Sequence, residues 1–157
     1  MRRKDKEITG IDDKLAIISK CKVCRLGLYE NNFPYVIPLN YGFTCKNEQL
    51  TLFFHSAKEG RKIEIIRSNN NACFEIDCDT KLIEGDKACD YGYAYKSITG
   101  FGKIIFLETD EEKSDALNHI MKHQTGKEKE YHFTEAELNS VCVYKMIVEE
   151  FTGKQKG

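Results

Sequence analysis

Short apolar runs separated by turn residues recur along this chain, and this pattern most constrains how it can fold. Runs of this kind, with β-branched and aromatic residues in alternation, indicate strands. Six runs occupy residues 23–29, 35–43, 49–55, 72–78, 93–107 and 141–151. They follow one another at hairpin spacing rather than alternating strictly with helices, which favours an antiparallel sheet. Closing such strands into a small barrel removes exposed edges.

Three segments have helical spacing instead. They cover residues 12–21, 58–67 and 110–123, with Thr9 or Asp12 as the first cap and Thr109 or Asp110 as the last. Pro38 cannot donate to a strand ladder, so the second strand is expected to be an edge strand or to contain a bulge. The polar stretch 81–91 is expected to be a loop. The fold class is therefore α+β, mainly β, with six antiparallel strands and flanking helices.

Length and charge limit the organisation and the partners. A chain of 157 residues supports one core, so residues 1–157 are expected to form one domain, with 153–157 as a disordered basic tail. The net charge of −1 argues against a nucleic-acid partner. No apolar run is long enough to span a membrane, and no apolar segment follows the basic start, so we expect a cytoplasmic protein.

Seven cysteines raise the question of metal or redox chemistry. An odd number cannot pair completely within one chain, and reduced thiols are the default in the cytoplasm. Cys21 and Cys24 have the spacing of half a zinc site, but no second pair at metal spacing follows. The sequence therefore predicts no metal centre, while zinc binding or a redox pair stays open as an alternative.

The segment 53–62 carries the strongest chemical signal. An apolar strand ends in His55 and Ser56, and Gly60 then precedes a helix that begins with Arg61 and Lys62. Cations in the first turn of a helix oppose its dipole unless an anion binds there. This arrangement favours a phosphate site, and the alternative is a solvated helix start.

Histidines and hydroxyls elsewhere are weaker candidates. Ser97 and Thr99 alternate with Ile98 on the fifth strand, where they can reach a ligand or face solvent. His119 and His123 are four residues apart on one helix but lack a third ligand, so we interpret them as surface or interface residues. His55 titrates near neutral pH in its ordinary state, which permits proton transfer, although no triad partner is apparent from spacing.

The order of these motifs resembles the pyridoxamine 5'-phosphate oxidase-like family of FMN-binding proteins. The resemblance rests on segments 38–41, 54–56, 60–62 and 95–102 and extends over about residues 1–153. Segments 1–5, 21–27, 85–89 and 121–126 are similar to the nitroimidazole-resistance (Nim) branch. The specificity residues of the oxidase itself are absent near the C-terminus, which argues against pyridoxamine phosphate oxidation.

The resemblance implies a split β-barrel that works as a homodimer, with FMN at the subunit interface. The residues that would contact the flavin ring are Pro38, Leu39, Asn40 and Tyr41. His55 and Ser56 would contact the ribityl chain or the ring, and Arg61 and Lys62 would contact the phosphate. Ser97, and Gln124 of the partner subunit, would make further contacts with the cofactor. His55 would be the catalytic residue. The implied function is an FMN-dependent oxidoreductase of small molecules, with nitroimidazole-type nitro compounds as candidate substrates. The alternative is a non-catalytic flavin- or haem-binding protein.

Overall fold

Residues 3–157 contain eight antiparallel strands and four α-helices. The computed structural model describes residues 3–157, so Met1 and Arg2, which belong to the segment 1–5 cited above, lie outside the described residues. The elements in chain order are β1 (Glu7–Ile8), α1 (Ile11–Lys20), β2 (Val23–Glu30), β3 (Phe33–Asn40), β4 (Gly42–Lys46), β5 (Gln49–Ser56), α2 (Arg61–Ser68), β6 (Asn71–Ile83), β7 (Gly92–Phe106), α3 (Asp110–Thr125), α4 (Glu135–Ser140) and β8 (Cys142–Lys156).

The sheet is a split barrel. Its strand order is β3-β2-β6-β7-β8-β5-β4, and β1 adds to β8. β3 and β4 therefore form opposite edges of the sheet, although Tyr41 is the only residue between them in the chain. The Cα atoms of Asn40 and Gly42 are two peptide units apart, at most about 7 Å, so the two edges must come close to each other and the sheet must curl. The predicted α+β, mainly β class and the split barrel with flanking helices are confirmed.

The core fills the inside of this curled sheet. Inward-facing side chains of the strands, among them Leu26, Phe54 and Phe74, are fully buried, and outward-facing ones alternate with them. α1 packs Ile17 and Ile18 against the same core, and α2 adds three buried isoleucines. Packing of α2 against the core fixes the position of its first turn, where the sequence predicts the phosphate site.

The second predicted strand, 35–43, is two strands in the structure. Residues Phe33–Asn40 pair with β2, and Gly42–Lys46 pair with β5. The sequence pattern continues through Tyr41 because that residue is itself buried, so no polar break marks the change of partner. Within the described part of the chain, β3 pairs with β2 alone and ends the strand order, which confirms the edge position expected from Pro38.

Three further expectations about the elements were wrong. Residues 81–83 extend β6 and pair with the start of β7 after a bulge, so the expected loop 81–91 is shorter. The tail 153–157 is not frayed, because β8 runs to Lys156 and pairs with both β1 and β7. α4 was not expected, and β1 together with the division of the second predicted strand brings the number of strands from six to eight. None of the helices among residues 3–157 is long and apolar enough to cross a membrane.

Candidate functional site

The junction between β5 and α2 forms a helix start with free backbone donors. Gly60 has φ 125°, a conformation that favours glycine, and no side chain caps the helix. The Gly60 carbonyl accepts from the N–H groups of Ile63 and Glu64 at 2.9 and 3.2 Å, so the first turn forms normally. The N–H groups of Arg61 and Lys62 precede this ladder and are available to a ligand. We call Ser56, Gly60, Arg61 and Lys62 the α2 cradle.

Arg61 is held at this place by the β2–β3 hairpin. Its Nε donates to the Glu30 carboxylate at 2.9 Å, and its guanidinium lies 4.7 Å from the centre of the Tyr35 ring. The ion pair is exposed, so it contributes little to stability, but it orients the side chain. Only Nε engages Glu30, which leaves the other guanidinium donors for an anion.

His55 and Ser56 lie on opposite faces of β5. His55 opposes Val143 of β8 and is exposed on the outer face, whereas Ser56 is half-buried on the inner face. The Ser56 hydroxyl donates to the Ala57 carbonyl at 2.9 Å. Partial burial of the imidazole, and then the positive charge of Lys62, lower the pKa of His55. At neutral pH His55 is therefore an uncharged group beside the cradle.

We expect the pKa of His55 to respond to charge at the α2 cradle. Replacing Lys62 with Gln removes a repulsive positive charge, so the His55 pKa should rise in K62Q relative to wild type. An anion bound at the cradle should raise it in the same way. An NMR titration of the imidazole resonances measures both shifts. Equal pKa values in wild type and K62Q would contradict this placement of Lys62.

The predicted flavin-ring segment follows β3 and then enters the core. Pro38 and Asn40 are exposed, whereas Leu39 packs against the core. Tyr41 is fully buried, and its hydroxyl donates to the carbonyls of Ile18 and Cys21 at 2.6 and 3.1 Å. The Tyr41 side chain is therefore a core group that closes the end of α1, and its ring does not face a ligand site.

We expect Tyr41→Phe to destabilise the protein by about 2 kcal/mol. The change keeps the ring but removes the buried hydrogen-bond donor of the Ile18 and Cys21 carbonyls. Buried acceptors that lose their donor are unfavourable. Chemical denaturation of the wild type and Y41F measures the difference. Tyr29→Phe is a matched control, because its exposed hydroxyl has one long contact of 3.3 Å, and it should change stability little.

Gln124 is tied to its own subunit at the end of α3. Its Nε2 donates to the carbonyls of Tyr41 and Lys22 at 2.9 and 3.1 Å, and its Oε1 accepts from Asn40 at 3.2 Å. The structure thus brings Asn40, Tyr41 and Gln124 together at the far end of β3 from Tyr35 and the cradle. A contact of Gln124 with a partner's cofactor stays a prediction.

His119 and His123 were expected to be surface or interface residues, and a surface position is wrong for His123. His123 is buried, with Nδ1 2.8 Å from the Tyr41 carbonyl and Nε2 3.2 Å from the Ser19 carbonyl. The half-buried His119 ring stacks on Phe53 at 4.9 Å. Burial lowers the pKa of both imidazoles. They pack α3 against the sheet, which a spacing of four residues alone does not reveal.

Ser97 is far from the cradle within one chain. It pairs with Lys154 of β8, whereas His55 pairs with Val143, eleven positions earlier along the same strand. That distance along an extended strand is roughly 35 Å. The structure of one chain therefore does not bring Ser97 to His55 and Ser56.

The two cysteines with zinc-like spacing, Cys21 and Cys24, are buried thiols. Cys24 faces the core, and Cys21 donates to the Asp77 carbonyl at 3.3 Å. Burial raises the pKa of each thiol to about 12, which keeps both protonated at neutral pH. Across residues 3–157, no three His, Cys, Asp or Glu side chains lie together as a metal site would require.

Sequence reasoning missed three residues around the cradle, namely Glu30, Tyr35 and Tyr144. Glu30 and Tyr35 meet Arg61 only because the β2–β3 hairpin folds beside α2, and no local pattern links positions so far apart in the chain. The sequence pattern alone predicts that Tyr144 is an ordinary core residue of the last strand. Its hydroxyl is buried with no hydrogen-bond partner in the structure.

The fold is a split barrel, and the helix that follows β5 begins with two cations beside the β2–β3 hairpin. Comparison with known proteins assigns the family. The sequence profile of the pyridoxamine 5'-phosphate oxidase family matches residues 12–155. The chain belongs to this family. The family resemblance inferred from the motifs is therefore confirmed. No match was found among curated protein sequences.

Solved structures agree with this assignment. A candidate 5-nitroimidazole antibiotic resistance protein from Bacteroides thetaiotaomicron is 32% identical, with a TM-score of 0.82 over 95% of this chain and 86% of that one. The flavocytochrome Anf3 from Azotobacter vinelandii has a TM-score of 0.81 at 15% identity, over 100% of this chain and 72% of that one. An FAD- and haem-binding protein from Mycobacterium smegmatis has a TM-score of 0.80 at 14% identity, over 96% of this chain and 73% of that one.

Proposed function

We propose that this protein is a cytoplasmic homodimeric flavoprotein that binds FMN and reduces small molecules, nitroimidazole-type nitro compounds among them. The observation that carries the proposal is the α2 cradle, where free N–H groups and two cations meet at a helix start with no side-chain cap. Family membership and the 32% identity to the candidate nitroimidazole resistance protein support the same conclusion.

The residues of the cradle suit a phosphate monoester. Gly60 leaves open space where a Cβ would stand, so an anion can approach the backbone closely. The N–H groups of α2, the guanidinium of Arg61, the ammonium of Lys62 and the hydroxyl of Ser56 are all hydrogen-bond donors. Such donors at a helix start bind phosphate well. Riboflavin without its phosphate would gain none of these contacts.

An apolar surface on β3 fits the proposal of a second subunit. Phe33 and Val36 are 72% and 61% exposed on this edge strand. An exposed apolar edge strand is a liability unless something covers it. A second copy of the chain would cover it, and could also bring Ser97, which is distant in one chain, toward the cofactor.

Bound flavin would supply the electrons, because a reduced flavin delivers two at a time. Reduction of a nitro group to a nitroso group takes two electrons and two protons and releases one water. The chain's own groups would orient the cofactor through Arg61, Lys62 and Ser56. His55 lies next to Lys62 and is uncharged at neutral pH, so its imidazole would hydrogen-bond a substrate oxygen, and the small protonated fraction would donate a proton to it.

A half-reaction under anaerobic conditions tests the reductase. The protein loaded with FMN is reduced with dithionite, freed of excess reductant, and mixed with a nitroimidazole. We expect the flavin absorption to return and the nitro absorption to fall in equal amounts. Wild-type protein that retains flavin but never reoxidises would contradict reductase activity and leave flavin binding alone.

His55→Ala tests the residue assigned to substrate contact. We expect reoxidation by the nitroimidazole to slow by about 10²-fold, the usual effect of losing a general acid or base. FMN affinity should change little, since the histidine points away from the inner face that carries Ser56. An unchanged reoxidation rate in H55A would remove His55 from the mechanism.

A further inference from the structure

The hydroxyl of Tyr144 is the one buried side-chain N or O atom in residues 3–157 that has no hydrogen-bond partner. The ring is fully buried, stacked on Phe54 at 5.7 Å and edge-on to Phe106 at 6.0 Å. Phenylalanine would make the same ring contacts. Leaving a buried hydroxyl unpaired is unfavourable, so such a group calls for an explanation beyond packing.

The strand register places Tyr144 beside Ser56, the residue of the α2 cradle that lies on β5. Tyr144 of β8 stands opposite Phe54 of β5, so Ser56, two residues further along β5, is its diagonal neighbour on the inner face. Diagonal neighbours lie within reach of an aromatic side chain. Burial raises the pKa of Tyr144 to about 12, so the hydroxyl keeps its proton at neutral pH and can donate it.

Ser56 at present gives its one proton to a backbone carbonyl. Its hydroxyl donates to the Ala57 carbonyl at 2.9 Å, on the loop that leads to the cradle. A serine hydroxyl has one proton to donate and two lone pairs to accept with. If the Ser56 proton turned toward an anion in the cradle, the lone pairs could accept the Tyr144 proton, and both hydroxyls would be satisfied.

We propose that Tyr144 is a positioning residue for phosphate binding, which it supports by donating a hydrogen bond to the Ser56 hydroxyl while Ser56 donates to a phosphate oxygen. The inference rests on the proposed function, since the phosphate is that of FMN. The unbound protein then carries an unpaired hydroxyl, and ligand binding pairs it. Part of the preference for a phosphorylated ligand thus comes from a residue that never touches it.

Tyr144→Phe separates this role from a structural one. We expect FMN affinity, measured by quenching of flavin fluorescence, to fall about fivefold, the effect of losing one hydrogen bond. Riboflavin affinity should stay unchanged, because riboflavin has no phosphate. The melting temperature of the unbound protein should not fall, since the variant loses only an unpartnered group. A structural role would instead weaken both ligands equally and lower the melting temperature.

Ser56→Ala and the double variant test whether Tyr144 acts through Ser56. We expect S56A to weaken FMN binding, and Y144F to cause no further loss in the S56A background, because the two residues form one chain of hydrogen bonds. Ser68→Ala is the matched control, since its hydroxyl also donates to a carbonyl at 2.9 Å but lies at the other end of α2. It should leave FMN affinity unchanged.

Three results would overturn the inference. They are an unchanged FMN affinity in Y144F, an equal loss for FMN and riboflavin, and fully additive losses in the double variant. Each of them leaves the proposed function intact, because wild-type protein still binds FMN in these experiments. Wild-type protein that binds neither FMN nor riboflavin would refute the proposed function, and this inference with it.

Discussion

Replacing Arg61 and Lys62 together with alanine is expected to weaken FMN binding by about 10²-fold or more, since charge-assisted hydrogen bonds to phosphate are among the strongest that proteins make. Both cations stand in the first turn of α2, and Arg61 is already oriented by Glu30 and Tyr35. Riboflavin affinity should change little in the same variant. Fluorescence titration with the two ligands measures this difference directly.

Stability gives an independent readout of the same variant. Two cations at a helix start oppose the helix dipole, so their removal is slightly favourable, while the exposed ion pair of Arg61 with Glu30 contributes little. The unbound protein should therefore melt at nearly the wild-type temperature. Arg67→Ala serves as the control, because Arg67 lies in the last turn of the same helix. Equal loss of FMN affinity in R67A and in the double variant would argue against the cradle.

Gly42→Ala is expected to lower the free energy of unfolding by about 3 kcal/mol. It should also disturb the contacts of Gln124 with Asn40 and Tyr41. A Cβ at Gly42 would lie 2.4 Å from the backbone of His119 and Ile120 in α3. Backbone atoms cannot rotate away as a side chain can, so α3 would have to shift off β4. The same helix carries His123 and Gln124, which contact the Tyr41 carbonyl.

Chemical denaturation of G42A and of a control glycine variant checks this expectation. Gly27→Ala is the matched control in β2, because its Cβ would meet its nearest neighbour at 3.6 Å, an ordinary contact. We expect the control to stay within about 1 kcal/mol of wild type, as a tolerated strand substitution does. A G42A protein as stable as G27A would show that α3 can withdraw from β4 without cost.

The fold was predictable from sequence to the extent that polar and apolar residues alternate. The strand at 49–55 and the helix capped by Thr109 follow local rules, and the structure confirms both. α4 was missed although its signal is present, since Thr134 and Glu137 form a capping box. The break at Tyr41 could not be predicted, because a change of strand partner is a non-local event and the residue is buried like its neighbours.

The residues of the candidate site likewise include some that local sequence rules predict and others that depend on long-range contacts. Arg61 and Lys62 follow a glycine at a helix start, so a local rule located them. Local rules could not predict that Arg61 contacts the β2–β3 hairpin, because the two segments are distant in the chain. The same holds for His123, which is buried between the carbonyls of Tyr41 and Ser19. Ser97 came from family resemblance, and the register of one chain places it far from the cradle. A cofactor contact by Ser97 is part of the proposed homodimer, in which a second subunit would supply it.

The most direct test of the account is whether the purified protein retains FMN. The protein is incubated with FMN, passed through a desalting column, and its visible absorption spectrum is recorded beside that of an R61A/K62A variant treated alike. The account predicts that wild type keeps the absorption bands of oxidised flavin, with about one flavin per chain, and that the variant loses them. Wild-type protein that emerges colourless, or a variant that retains as much flavin as wild type, would contradict it.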